Sequence, residues 1–442
     1  MQLSKRFGLV LLLPMVSTVN YAAEITFNGF LSVGMGYLSV DDPESYIEID
    51  PDTIYQDQYF SFQDGDVNFD NLTKFGFQAN AEIDENISIT GQFISRGESD
   101  YDTALTWAYA SYRFNDAFTL RAGRLRVPLY MYSDFLDVGY AYPWIRPPAE
   151  TYAISPFEGI DGVDLIHTSS FGDWYSLIQL YYGNNNDQRT LDFFNDVFDF
   201  DVQGFTGITW TFSNDYLSAR VGYHLIGELT ATSDSFDGSL QIFNDNLALL
   251  QQAAALAGEG SPLQEAAEVY GDVVADLPVE EKSADYMAVG FELDWNNIVV
   301  ISEWTSIELD PGLLRDTTTW YATLGYRLGD YLVHYTYERL DTESGFEFFT
   351  DQLATVDASS LGADIETLFA ATDAGLRQSI GSAERYTHAF GVRYDVSHSA
   401  AIKAEFQLNT ISLNDYDPTR VDPNITGEGT SSLFTVGFDL VF

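Results

Sequence analysis

The sequence contains no cysteine, and its basic residues are few. The absence of Cys excludes disulfides, thiolate metal sites and Cys nucleophiles. Lysine and arginine number 20 against 67 acidic residues, which gives a formal net charge of −47 at pH 7. A surface this negative repels phosphate, so nucleic acid is excluded as a partner. Yet 45% of the residues are hydrophobic and 15% are aromatic, far more than an acidic disordered chain contains.

The chain also lacks a long apolar run. Residues 1–23 have the three parts of a secretory signal peptide. Lys5 and Arg6 form a positive region, residues 7–16 form an apolar stretch, and the small residues Ala22 and Ala23 form the cleavage region. The apolar stretch is shorter than the roughly 20 residues that a spanning helix needs. We therefore predict that residues 24–442 form an exported protein without a transmembrane helix.

Beyond residue 23, apolar residues recur at every second position. In the first such segment, Ile25, Phe27, Leu31 and Val33 share one face of an extended chain, which indicates a strand with one apolar face. Sixteen segments follow this pattern, and most approach the ~9–11 residues of a tilted membrane strand. They are 24–40, 72–83, 86–96, 103–113, 117–126, 159–169, 173–183, 198–212, 216–227, 284–295, 297–307, 317–328, 330–340, 384–395, 399–411 and 432–442. The sixth alternates least regularly.

The connections between these segments alternate in length. Every second connection is a tight turn, such as 84–86 or 115–116, whereas four of the others exceed 30 residues. Short turns on one side and long loops on the other are typical of outer-membrane barrels, with the turns in the periplasm. We predict an all-β fold, a 16-stranded antiparallel transmembrane β-barrel over 24–442. A soluble β-sandwich is the alternative, but it would not need this asymmetry.

Three of the long loops carry more than half of the net negative charge. Segments 41–71, 228–283 and 341–383 together hold 29 acidic residues and two basic ones. They favour either a solvated acidic outer surface or a vestibule that concentrates cations, with Ca²⁺ or Mg²⁺ loosely bridging the loops to lipopolysaccharide. The second of these loops contains helix-like stretches at 244–258 and 263–277, and the third contains one at 361–376; we expect them to cap the barrel mouth by packing on one another.

One acidic stretch has the spacing of a calcium loop. Asp64, Asp66, Asn68 and Asp70 occupy every second position, but Phe69 stands where an EF-hand has Gly, so an EF-hand is excluded. Apart from loosely bound divalent cations, the sequence predicts no cofactor and no metal site.

The segment 127–158 differs from the other loops because proline and aromatic residues crowd it. Prolines lower its chain entropy and aromatic rings need a surface to cover, so we predict that it folds into the barrel lumen as a constriction loop. Its aromatic candidates are Tyr130, Tyr132, Tyr140, Tyr142, Trp144 and Tyr152. Its acidic candidates are Asp134, Asp137, Glu150 and Glu158.

These features resemble the general-diffusion porins of Gram-negative bacteria. The resemblance rests on the signal peptide, the strand count, the stretch TKFGFQAN at 73–80, a third loop after a Gly-Arg strand end, and the terminal Phe442. It implies a third loop that constricts the lumen, a homotrimer, and a final aromatic residue that serves as the assembly signal. The short acidic third-loop motif of that family is not clearly present, and two loops are unusually long.

The face opposite the apolar one would line the pore. The basic candidates for the pore lining are Lys74, Arg96, Arg121, Arg124, Arg126, Arg385, Arg393 and Lys403. Acidic residues on the same face are Glu82, Glu292, Glu303, Glu338, Glu405 and Asp439. The basic wall and the acidic loop could set up a transverse field across the constriction, or the bases could tie the loop to the wall as ion pairs.

We therefore predict an outer-membrane porin that is a passive, water-filled and cation-preferring channel for small hydrophilic solutes. Its partners would be the lipid bilayer, lipopolysaccharide, ions and those solutes. The main alternative is a substrate-specific channel for a sugar or an oxyanion, in which the loop aromatics form a stacking track. An adhesin or phage receptor would use the same long loops. An enzyme is disfavoured because the five histidines are scattered, and a plugged siderophore transporter is disfavoured because the chain is too short for it.

Overall fold

The computed structural model describes residues 24–40, 62, 65–152, 159–191, 196–310, 316–343, 347–379, 383–413 and 428–442. The predicted signal peptide and most of the first acidic loop lie outside these residues.

Sixteen long strands form one closed antiparallel sheet, which confirms the predicted barrel. They are β1 (Glu24–Val40), β2 (Lys74–Glu82), β3 (Ile87–Arg96), β4 (Thr103–Asn115), β5 (Phe118–Arg126), β6 (Gly159–Phe171), β7 (Trp174–Leu191), β8 (Asp196–Ser213), β9 (Leu217–Thr232), β10 (Val279–Trp295), β11 (Ile298–Leu309), β12 (Thr317–Leu328), β13 (Tyr331–Thr342), β14 (Ala383–Ser397), β15 (Ala400–Leu413) and β16 (Glu428–Val441). The barrel closes because β16 pairs with β1, in a register that sets Phe30 opposite Val441. A two-residue segment, Val67–Asn68, also pairs with β1.

Local turn chemistry explains the tight connections. The side-chain carboxylate of Asp84 accepts hydrogen bonds from two backbone amides of its turn, and the amide oxygens of Asn115 and Asn214 do the same in theirs. Gly172 and Gly329 have φ values of 61° and 64°, in the left-handed region that such turns need. These local signals are why the short side of the barrel could be predicted from sequence.

The outer face of the barrel is apolar, as the alternation predicts. Large hydrophobic side chains point away from the lumen with much of their surface exposed, Leu324 at 60% and Phe27 at 60% among them. Such a face is stable only against hydrocarbon or another protein. Among the described helices, none is long and apolar enough to cross a bilayer.

Strands β7 to β10 are longer than predicted. β7 and β8 stay paired as far as Leu191 and Asp196, so most of the stretch that was expected to be a loop continues the hairpin. β9 and β10 likewise extend to Thr232 and from Val279. The apolar alternation could not predict these extensions, because strands that project beyond the membrane need no apolar face.

The two long loops form helices that pack on one another. These are α2 (Asp234–Ala257), α3 (Pro262–Asp276), α4 (Glu347–Ala354) and α5 (Ala363–Ser379). The predicted helical stretches fall within α2, α3 and α5, apart from a residue or two at their edges, whereas α4 was not predicted. Tyr270 on α3 is fully buried, packs against Phe369 on α5 with ring centroids 5.7 Å apart, and has its hydroxyl 3.2 Å from that of Thr372. The two loops thus share one apolar core.

Candidate functional site

The segment that follows β5 turns inward and packs against the inner face of the barrel. Its described part, 127–152, contains 3₁₀ turns at Ser133–Phe135 and Gly139–Ala141 and a short helix, α1 (Ala149–Tyr152). We call this part the constriction loop. Most of its side chains are buried, Val127 at 2% and Leu129 at 3% exposure among them.

Asp137 lies at the centre of a buried charge cluster that ties the loop to β2, β3 and the end of β5. Its carboxylate accepts two hydrogen bonds from Arg96, at 2.9 and 3.0 Å, and a third from Arg126 at 2.8 Å. Lys74 donates to the backbone oxygen of Leu136 beside it. Burial alone would raise the pKa of Asp137, but the charges of Arg96, Arg126 and Lys74 hold this pKa well below its ordinary value. Asp137 is therefore ionised.

Two basic residues hold the middle of the loop to β14 and β15. Lys403 donates to the backbone oxygens of Gly139 and Trp144 and pairs with Asp439 at 2.9 Å. Arg393 donates to the backbone oxygens of Tyr140 and Tyr142. Gly139 has to be glycine here, because a Cβ at this position would lie 2.1 Å from a carboxylate oxygen of Asp439.

Hydroxyl and carboxylate groups on β11 to β13 hold the rest of the loop. The indole N–H of Trp144 lies 3.0 Å from the hydroxyls of both Thr323 and Thr336. Glu303 accepts hydrogen bonds from the backbone N–H of Met131 at 2.8 Å and from the hydroxyl of Tyr152 at 2.9 Å.

Three further contacts complete this attachment. Glu338 accepts a hydrogen bond from the backbone N–H of Glu150, and Glu292 accepts one from the Tyr132 hydroxyl. Arg220 donates to the backbone oxygen of Pro128.

The loop aromatics form a packed cluster with the barrel wall. Tyr130 and Tyr152 stack with ring centroids 4.5 Å apart, and Trp144 meets Tyr321 of β12 edge-on at 5.6 Å. Tyr130, Tyr132, Tyr142, Trp144 and Tyr152 are all at most 7% exposed. Burial raises the pKa values of Tyr132, Tyr142 and Tyr152 well above the ordinary range, so their hydroxyls stay protonated donors. The expectation that these rings form a stacking track for solutes is therefore wrong; only Tyr140 is partly exposed.

The predicted acidic residues of the loop have three different positions. Asp137 is buried as described, and Glu150 is partly buried, 4.0 Å from Arg385. Asp134 is exposed, and its negative charge interacts electrostatically with Arg121 on β5. Glu158 lies outside the described residues.

The predicted pore-lining bases are used mainly in ion pairs and in holding the loop. Arg121 pairs with Asp164 on β6, with Nε 2.9 Å from the carboxylate, while Arg126 is buried against Asp137. The prediction for Arg124 is wrong. Side chains in a strand alternate between the two faces, so Arg124, which is three residues from Arg121 and next to buried Leu125, lies on the outer face. There it pairs with Asp161 at 2.9 Å. The arrangement matches the second interpretation of the basic wall, in which the bases are ion-paired.

Sequence reasoning missed the roles of Asp161 and Asp164. These two carboxylates interrupt the alternation of β6, which is why that strand was the least regular. Each stands directly opposite an arginine of β5 in the register, Asp161 opposite Arg124 and Asp164 opposite Arg121. Acidic residues in a strand that follows an Arg-rich strand were the available signal.

We call the lumen residues that hold the loop the docked wall. They are Lys74, Arg96, Arg220, Glu292, Glu303, Thr323, Thr336, Glu338, Arg385, Arg393 and Lys403. A second set of lumen side chains, mainly on β2 to β7, bonds chiefly within itself, and we call it the open wall. It comprises Gln78, Gln92, Thr106, Trp107, Tyr109, Arg121, Asp164 and Gln179.

The terminal Phe442 lies at the seam where the barrel closes. Its backbone exchanges two hydrogen bonds with Gly29 of β1, at 2.8 and 2.9 Å. Its ring lies over Gly29 and is 61% exposed on the outer face, near Phe75.

No group of three or more His, Asp or Glu side chains converges as a metal site within the described ranges. Of the calcium-like stretch, Asp64 lies outside those ranges, and Asp70 accepts a hydrogen bond from the Tyr101 hydroxyl. Divalent-cation binding by the acidic loops stays a prediction.

The architecture of this chain is that of known outer-membrane channels. It is similar to the outer membrane channel DcaP of Acinetobacter baumannii, with a TM-score of 0.52 and 9% identity over 96% of this chain and 99% of that one. It is similar to the anion-selective porin of Comamonas acidovorans, with a TM-score of 0.51 and 11% identity over 95% of this chain and 100% of that one. It also resembles a loop-deletion mutant of OmpT, an outer membrane protein of Vibrio cholerae, with a TM-score of 0.51 and 10% identity over 95% and 100% of the two chains.

At such low identities the likeness establishes the fold alone. No protein-family profile and no curated protein sequence matches the chain. The outer-membrane location predicted from the sequence agrees with a closed barrel whose outer face is apolar.

Proposed function

We propose that this protein is an outer-membrane porin, a passive channel that admits small hydrophilic solutes and prefers cations. The observation that carries the proposal is a closed barrel with an apolar outer face whose polar lumen is narrowed by a docked loop. A lumen lined by charged, amide and hydroxyl groups solvates water and small polar solutes, while apolar solutes would lose hydration without compensation.

The cation preference follows from how charge is distributed. Arg96, Arg121, Lys403 and Arg385 form ion pairs with Asp137, Asp164, Asp439 and Glu150, which reduces the positive charge that could attract anions. The three long loops meanwhile carry 29 acidic residues against two basic ones. A mouth of this sign raises the local concentration of cations.

The proposal includes a homotrimer in a membrane with lipopolysaccharide. The apolar outer face must be covered by lipid or by a neighbouring subunit. The exposed final ring of Phe442 fits a role as the assembly signal, since it stands at the closing seam of the barrel.

The test is planar-bilayer recording of the purified, refolded protein under a salt gradient. We expect stepwise conductance, a reversal potential of the cation-selective sign, and steps that occur in threes. Absence of conductance would contradict the channel, and equal permeability to potassium and chloride would contradict the cation preference.

A catalytic function has no comparable support. The Nδ1 atom of His224 lies 2.6 Å from the Tyr181 hydroxyl, that of His388 lies 2.7 Å from the Tyr335 hydroxyl, and buried His334 packs against Gly391. These contacts do not join a histidine to a nucleophile and an acid in the way a hydrolytic site requires. An additional role of the acidic helical cap as a phage or adhesin surface stays a prediction.

A further inference from the structure

The open wall contains two aromatic rings whose faces the constriction loop does not fully cover. Trp107 and Tyr109 project from β4 into the lumen with ring centroids 6.2 Å apart, and both are partly exposed. The indole N–H of Trp107 has no hydrogen-bond partner among the described residues. These rings differ from the loop aromatics, which are buried against one another.

A β-bulge positions this pair. The register between β3 and β4 shifts between Gln92 and Phe93, so that both Thr106 and Trp107 stand against Gln92. The Thr106 hydroxyl donates to the side-chain oxygen of Gln92 at 2.8 Å, and the Gln92 amide donates to Gln78 at 3.1 Å. Bulges re-aim side chains next to binding sites, and this one places an indole beside a row of amide and hydroxyl groups.

The charges around the two rings cancel. Arg121 lies over the Tyr109 ring at 5.1 Å and is paired with Asp164, which also accepts a hydrogen bond from Gln179 at 2.7 Å. Because the charges of Arg121 and Asp164 compensate each other, the patch offers two partly exposed aromatic rings beside the partly exposed polar side chains of Gln78 and Thr106.

We propose that Trp107, Tyr109 and the surrounding amides form a binding subsite for a neutral, polyhydroxylated solute, a small carbohydrate. This inference rests on the proposed channel function and names a solute class for it. A sugar ring has a face of C–H groups and a rim of hydroxyls. The face packs on an aromatic ring, while the partly exposed side chains of Gln78 and Thr106 beside the rings bond to the rim.

The experiment measures block of single-channel current by raffinose, a neutral trisaccharide, in the refolded protein. We expect block that saturates with concentration, whereas a polyethylene glycol of equal size reduces the current without saturation. Trp107→Ala should weaken the raffinose block by about two- to tenfold, the effect of losing one aromatic contact. Trp107→Phe should lose less, because it keeps a ring and removes only the N–H donor.

The matched control is Trp304→Ala, which removes an indole from the outer face of β11. Normal conductance without saturable block, or equal weakening by Trp107→Ala and Trp304→Ala, would overturn the subsite and leave the channel intact. If the protein showed no conductance, the channel itself would fail. Titration calorimetry with raffinose would then decide the subsite, because binding that Trp107→Ala weakens supports it and absence of binding overturns it.

Discussion

The docked wall and the open wall use the same residue types for different purposes. On the docked wall, Lys403, Arg393 and Glu303 direct their polar atoms at the backbone of the constriction loop. On the open wall, Arg121, Asp164 and Gln179 bond to one another. A charged residue that faces a lumen therefore says little about selectivity until its partner is known, because a paired charge positions structure and only an uncompensated charge acts on a passing ion.

The largest expected effect comes from breaking the Asp137 cluster. Asp137→Ala removes the carboxylate that Arg96 and Arg126 share, and loss of one partner of a buried pair costs about 3–5 kcal/mol. We expect the constriction loop to detach from β2 and β3, which would enlarge and destabilise the conductance steps and expose 127–152 to protease. Single-channel recording and limited proteolysis measure the two effects.

Asp134→Asn is the control for this change, since Asp134 belongs to the same loop but is exposed. Proteolysis of Asp137→Ala at the control rate would show that the cluster does not hold the loop.

A smaller effect should follow from removing one hydrogen-bond donor on the opposite side of the loop. Trp144→Phe keeps a buried ring but loses the N–H that reaches Thr323 and Thr336, at a cost of about 0.5–1.5 kcal/mol. We expect modestly faster proteolysis of the loop with unchanged ion selectivity. Trp320→Phe on the outer face serves as control, and a larger effect there would refute the assigned role of Trp144.

A substitution on the open wall should change ion selectivity and leave the docking of the constriction loop unchanged. Asp164→Asn leaves the charge of Arg121 uncompensated, and a unit charge about 6 Å from an ion in water changes its energy by about 0.7 kcal/mol. We expect cation permeability to fall and anion permeability to rise by about threefold each, so that the cation-to-anion permeability ratio falls by about tenfold, read from the reversal potential under a salt gradient. Arg124→Gln disrupts an equivalent pair on the outer face and should leave the ratio unchanged; an equal shift there would refute the lumen location of the Arg121 pair.

The same comparison explains what sequence could predict. The period of two and the Asp and Asn turn signals report local geometry, so the sixteen strands and the tight turns were predictable. The ion-pair partners of the lumen residues were not predictable, because Arg96 meets Asp137 only after the barrel has closed and the loop has entered it. The prediction that Arg124 lines the pore conflicted with the parity of β5, because Arg124 lies three residues from Arg121 and therefore on the opposite face. The composition of the aromatic loop indicated that it needs a surface to cover, and five of its six predicted rings are buried on one another and on the barrel wall.

The smallest expected effect is that lowering the pH from 7 to about 4 leaves the docking of the constriction loop unchanged. Because the pKa of Asp137 in the folded protein lies below its ordinary value, its ion pairs stabilise the docked loop fully above the unfolded pKa of about 3.9, and this stabilisation is lost only as the pH falls through the lower folded pKa. We expect the near-ultraviolet circular dichroism of the buried loop aromatics to stay constant over this range. Loss of this aromatic signal above pH 4 would contradict the assigned role of the Asp137 cluster in loop docking.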